Sequence, residues 1–96
     1  LRNRYKINLE AKDDLKRIYS YGFYRWGEQQ ADFYFNQIFE CFSDISMNPK
    51  QFPKVDEIRK SYRRCVCGVD TIYFRIDNDM IEIMRILGSQ DIKDTF

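Results

Sequence analysis

Residues 62–87, YRRCVCGVDTIYFRIDNDMIEIMRIL, decide how this chain folds. Three short apolar runs are separated by two turn-like breaks, Gly68-Val69-Asp70 and Asp77-Asn78-Asp79, and arginines are set inside the runs. Side chains of a strand alternate between two faces, so the spacing predicts strands over 62–67, 71–76 and 81–87. In the second, Ile72, Phe74 and Ile76 share a face. In the third, Ile81, Ile83, Arg85 and Leu87 fall on one face and Glu82, Met84 and Ile86 on the other. Both faces of that strand are partly apolar, which predicts a central position covered on each side. Loops this tight make the three strands an antiparallel meander.

Moving back along the chain, Ala31, Phe35, Ile38, Phe42 and Ile45 recur every three or four residues, and Tyr34 and Cys41 widen the stripe. That is the period of a helix with one buried face, and Asn48-Pro49 ends it. An earlier stripe of Ala11, Leu15, Ile18, Tyr19, Gly22 and Trp26 predicts another helix, capped by Asn8 and stopped at Gly27. Asp13 and Asp14 lie near the positive end of its dipole. So short a break makes the two helices an antiparallel hairpin. Tyr5-Lys6-Ile7-Asn8-Leu9 alternates as a short, half-buried strand does. The element order is β-α-α-β-β-β, an α+β two-layer domain with the helical hairpin on one sheet face. The opposite face is left for the arginines or a partner.

At 96 residues, 44% hydrophobic and 32% charged, the chain reads as one globular domain spanning 1–96. A net charge of +1 excludes a uniformly basic nucleic-acid binder. The charge is uneven, however. Between Lys50 and Arg64 lie six basic residues against Asp56 and Glu57, a local net of +4 in a loop pinned by Phe52 and Val55. Cys41, Cys65 and Cys67 are odd in number, and there is no histidine, so neither a disulfide framework nor a standard zinc site is indicated. Cys65 and Cys67 share a strand face and read as small core residues. No cofactor is expected, no apolar run is long enough to span a membrane, and a reducing cytoplasm is the expected home. The first residue is Leu1, so the natural start is expected upstream.

Three groups of residues then resemble the ParE branch of the RelE/ParE toxin superfamily. They are Leu15-Lys16-Arg17-Ile18-Tyr19 with Tyr24-Arg25-Trp26-Gly27, Gln30-Ala31 opening the second helix, and Tyr62-Arg63-Arg64 leading through Ile72-Tyr73-Phe74-Arg75 to Ile83-Met84-Arg85-Ile86-Leu87. The likeness runs from Tyr5 to Asp91, although Gly88-Ser89-Gln90-Asp91 departs from the family's usual His-containing ending. The resemblance implies a RelE/ParE-like fold and a bacterial toxin that traps DNA gyrase by stoichiometric binding. It further implies neutralisation by a ParD-like antitoxin, with a ribbon-helix-helix DNA-binding part and a tail that wraps the toxin. On this reading Arg63, Arg64, Arg85, Ser89, Gln90 and Asp91 face the target, and Tyr21, Phe23 and Tyr24 face the antitoxin.

The rival within the same superfamily is a RelE-like nuclease that cuts mRNA on the ribosome. Attack by a 2′-hydroxyl needs a proton acceptor, a stabiliser of phosphorane charge and a proton donor to the leaving oxygen. Arg64 and Arg85 resemble the arginines that such nucleases hold near the phosphate. Residues 88–96 supply no tyrosine and only Lys93 for the acid/base half, so binding without catalysis is the expectation. An inactive interaction module is a further alternative. The structural reading of Arg63, Arg64, Arg75 and Arg85 is pairing with Glu82, Asp77 or Asp79, and for Arg75 it is the preferred one.

Overall fold

The computed structural model describes residues 5–88, 92, 95 and 96. Its elements are β1 (Tyr5–Ile7), α1 (Leu9–Trp26), α2 (Glu28–Met47), a 3-10 turn at Pro49–Gln51, β2 (Arg63–Cys67), β3 (Asp70–Asp77) and β4 (Met80–Gly88). Asn8 joins the first two. Its backbone N–H donates to the Ile83 carbonyl at 3.1 Å and its Oδ1 accepts the Ala11 N–H at 2.9 Å, so one residue closes the β1 ladder and caps α1. Leu9, at the end of the alternating stretch, starts the helix and is exposed.

Gly27 alone links the helices, at φ 97°. Its N–H donates to the Phe23 carbonyl and its carbonyl accepts from Ala31 N–H, both at 3.0 Å, so it closes one helix and opens the next. The hairpin is antiparallel, as its contacts require. An added Cβ on Gly22 would lie 3.7 Å from Ala31, and Tyr19 packs edge-on against Phe35 with ring centroids 5.4 Å apart. Trp26 does not join the buried stripe but is exposed, because it occupies the last turn of α1, beyond the reach of the sheet.

The sheet order is β1-β4-β3-β2. β2, β3 and β4 form the antiparallel meander, while β1 pairs parallel with β4, placing β4 inside the sheet as its two apolar faces require. The β3–β4 turn has Asn78 and Asp79 at φ 51° and 65°, the mirror-image turn that suits a tight hairpin. A bulge interrupts the ladder: Tyr73 faces Arg85 and Phe74 faces Ile83, leaving Met84 as the extra residue. The alternation expected along β4 therefore fails after Ile83. Ile81, Ile83 and Ile86 enter the helix-side core, and Met84 and Leu87 join the other one.

Two cores result. Between helices and sheet lie Ala11, Leu15, Ile18, Ile38, Phe42 and Ile45 against Cys65, Cys67, Ile72, Phe74 and the β4 isoleucines. Full burial of Ile38, Phe42 or Ile45 contributes roughly 1.5–3 kcal/mol each. On the far face, Tyr62, Tyr73 and Leu87 are covered by Val55, Ile58, Ile92 and Phe96. That face, left by the sequence for arginines or a partner, is in large part closed by the chain itself. The loop carrying Phe52 and Val55 is pinned as expected, with Phe52 on one core and Val55 in the other.

Candidate functional site

Among the described residues the edge of β4 has no partner strand beyond Ile83, because β1 is only three residues long. Side chains of α1 take over. The Ile86 N–H donates to Asp14 Oδ2 at 2.9 Å, and Arg17 Nη2 donates to the Ile86 carbonyl at 2.9 Å. Asp14 also receives Arg85 in two bonds, Nε to Oδ2 at 2.8 Å and Nη2 to Oδ1 at 3.0 Å. Its side chain is only 5% exposed. A buried carboxylate accepting two guanidinium bonds and a backbone N–H is well compensated for its loss of water. Arg85 thus pairs across the fold with α1, not with Glu82, Asp77 or Asp79. Arg75 does bind Glu82, Nε to Oε1 at 2.8 Å.

Of the other arginines, Arg63 is half-buried and braces the preceding loop, with Nη1 donating to the Phe52 carbonyl at 2.7 Å. Arg64 is exposed and makes no ion pair among the described residues. In register it stands beside Tyr73, which in turn stands beside Arg85, so the three form one cross-strand row. Burial raises the Tyr73 phenol above its usual range, and the Arg64 charge offsets part of that. Over Tyr73 lies Phe96, ring centroids 5.2 Å apart, with the Arg59 guanidinium 5.2 Å above the Phe96 ring. Lys50, Lys54, Arg59, Lys60 and Arg64 are all exposed, forming the basic surface foreseen from charge. Ser89, Gln90 and Asp91 lie outside the described residues.

At the linked end of the hairpin the surface is aromatic. Tyr24 is 87% exposed, Tyr21 61% and Phe23 43%. The structure divides these three. Tyr21 enters the wall of a cleft of about 870 Å³ between the helices and the β2–β3 turn, while Phe23 packs on Tyr19 and Tyr24. Ile18, Gly22, Trp26, Phe35 and Val69 also line the cleft, with Arg17 and Asp70 as its charged groups. Tyr34 fixes the floor by donating to Asp70 Oδ2 at 2.7 Å and approaching the Cys67 carbonyl at 2.9 Å. Burial, then the Asp70 bond, pushes the Tyr34 phenol far above its ordinary pKa. A cleft of this size, apolar with few polar groups, suits an apolar segment of another molecule.

Asp14, Arg17, Tyr34 and Asp70 were not foreseen as a group. One signal was present: Asp14 sits with Ala11, Leu15 and Ile18 on the buried stripe, where an acid requires a buried partner. Among the described residues no helix is long and apolar enough to cross a membrane.

A family model described as the ParE toxin of type II toxin-antitoxin system, parDE, matches residues 5–92. Toxin ParE1 of Caulobacter vibrioides is 31% identical over 83 residues, covering 86% of this chain and 85% of that protein. Toxin ParE1 of Mycobacterium tuberculosis is 29% identical over 86 residues, 88% of each. Among solved structures, the chromosomal ParDE TA system from P. aeruginosa superposes with a TM-score of 0.79 at 20% identity, over 90% of this chain and 95% of that one. The RelB-RelE antitoxin-toxin complex from Methanococcus jannaschii gives 0.59 at 24% identity, over 94% and 96%. These likenesses of shape match the two-layer β-α-α-β-β-β architecture.

Proposed function

The chain belongs to the ParE toxin family of type II toxin-antitoxin systems, and on that premise we propose that it inhibits DNA gyrase by stoichiometric binding and is neutralised by a ParD-like antitoxin. It acts in the bacterial cytoplasm as one domain, and without doing chemistry of its own.

The observation that carries the binding reading is the engagement of Arg85. A nuclease needs a cation whose charge is available to the phosphorane as it forms. Here the guanidinium is bound twice by the buried carboxylate of Asp14, and the neighbouring Tyr73 is covered by Phe96. Both features favour a surface that docks over one that cleaves. The target contact is assigned to the basic edge around Arg63 and Arg64 together with Ser89, Gln90 and Asp91, with Arg85 holding the end of β4 in place. The antitoxin contact is assigned to Tyr21, Phe23 and Tyr24, which offer large apolar area at low entropic cost.

Titrating purified protein into a supercoiling reaction tests the proposal. Inhibition should saturate near one toxin per gyrase binding site, with the enzyme held as a cleavage complex. Inhibition that continues to grow with time at substoichiometric toxin would point to catalysis instead.

A further inference from the structure

We propose that Cys41 of α2 and Cys67 of β2 form an intramolecular disulfide when the protein meets a low-molecular-weight disulfide, with Cys65 remaining a thiol. The two sulfurs are 2.6 Å apart, well inside the contact distance of two non-bonded sulfur atoms, although the residues are 26 apart in sequence. All three cysteines are free thiols, so the approach is one of reduced groups. Packing of α2 on the sheet edge produces it: Phe42 and Ile45 are buried beneath the strands, which carries Cys41 over the end of β2. Among the described residues no cluster of three or more ligating side chains is arranged to hold a metal ion.

Exposure sets the order of events. Cys41 is half-buried, whereas Cys65 and Cys67 are 7% and 4% exposed. The Cys41 thiolate attacks one sulfur of the reagent, a new S–S bond forms, and one reagent thiolate leaves. Cys67, as its thiolate, then attacks the Cys41 sulfur, expelling the second reagent thiolate. The protein loses two electrons and two protons, and the reagent becomes two thiols. Burial raises the Cys67 thiol well above its ordinary range, so the second step is the slow one and quickens with pH. The product ties α2 to the strand whose Cys67 carbonyl meets Tyr34, and so stiffens the wall of the cleft beside Val69 and Asp70.

The test is incubation of the whole chain with oxidised glutathione, followed by denaturation, maleimide labelling, intact mass and peptide mapping. The expected product has lost two hydrogens, takes one label, at Cys65, and joins the Cys41 and Cys67 peptides. Its Tm should rise by roughly 10 °C over the reduced protein. Closure should speed up about tenfold per pH unit between pH 7 and 8. Cys65→Ser should still close and Cys67→Ser should stop at a glutathione adduct on Cys41. Three labelled thiols, a Cys41–Cys65 link or intermolecular dimers alone would overturn the proposal. Mapping of the unsubstituted protein decides this even where a variant folds poorly.

Discussion

Arg85 Nε lies 2.8 Å from Oδ2 of Asp14, and this pair joins the first helix to the bulged end of the last strand. The same carboxylate holds the Ile86 N–H, and Arg17 Nη2 stands 3.5 Å from its Oδ1, so three positive or polar groups converge on one buried acid. Removing Asp14 takes away the buried acceptor that the Arg85 guanidinium and the Ile86 N–H share. Asp14→Ala should lower the unfolding free energy by about 3–5 kcal/mol in urea denaturation. Asp14→Leu with Arg85→Met should cost markedly less than the two single losses added. Simple additivity would show that the pair is not a unit.

Gly68 opens the β2–β3 turn at φ 61°, and a Cβ there would stand 2.5 Å from the Tyr34 ring. Both the backbone and the ring object to a side chain. Gly68→Ala should destabilise by about 1–3 kcal/mol, and Tyr34→Phe by about 1–1.5 kcal/mol through loss of the Asp70 bond. Thermal unfolding of both variants measures this. A neutral Gly68→Ala would mean that the turn is more adaptable than its geometry.

Burial pushes the Cys65 thiol up from 9.0 to about 12, and Cys67 is raised as well. A raised folded pKa means that the folded state keeps a proton which the unfolded chain gives up. The associated stability is therefore complete below pH 9.0 and is lost as pH climbs from there toward about 12. Each such thiol removes up to about 1.4 kcal/mol per pH unit across its window. Under reducing conditions, Cys65→Ala should show a shallower alkaline decline than the parent. An unchanged slope would assign the decline to other groups.

Tyr21, Phe23 and Tyr24 are the aromatic group at the hairpin's linked end. Bound ParD-like antitoxin should slow amide exchange in the last turns of α1 and the first of α2. Tyr21→Ala with Tyr24→Ala should weaken binding at least tenfold while leaving Tm within a few degrees, since large aromatic anchors dominate such interfaces. Unaltered exchange there would move the antitoxin to another face.

The parts of the fold that follow from period and punctuation were readable in the sequence. Asn8, Gly27, Asn48 and the Asn78-Asp79 turn mark boundaries for local reasons. Asn8 caps α1 with its side chain, Gly27 and Asn48 return their N–H groups to the last turns of α1 and α2, and Asn78 and Asp79 take the positive φ of a tight turn. The parts that depend on contacts remote in sequence were not. Met84 carries no local sign that it will bulge, since the bulge matches β4 to β3 and to the side chains of α1. The parallel pairing of β1 was equally hidden, being set by the path of the hairpin above it. At the site, local charge, exposed aromatics and the family resemblance picked out Arg64, Arg85 and Tyr24, but not the burial of Asp14 and its pairing with Arg85 across the fold.

Arg64 is the exposed cation of the row shared with Tyr73 and Arg85. Replacing it should alter docking and not folding. Arg64→Glu should weaken gyrase inhibition at least tenfold with Tm nearly unchanged, because reversing a surface charge changes association more than stability. Full inhibition by this variant would remove the basic edge from the target contact.

The most direct measurement places gyrase with supercoiling substrate, and ribosomes with bound mRNA, side by side with the purified protein. Gyrase trapping without nuclease action predicts that supercoiling stops and linear DNA accumulates on denaturation of the trapped complex, while the mRNA stays intact. Cut mRNA with unaffected gyrase would contradict it.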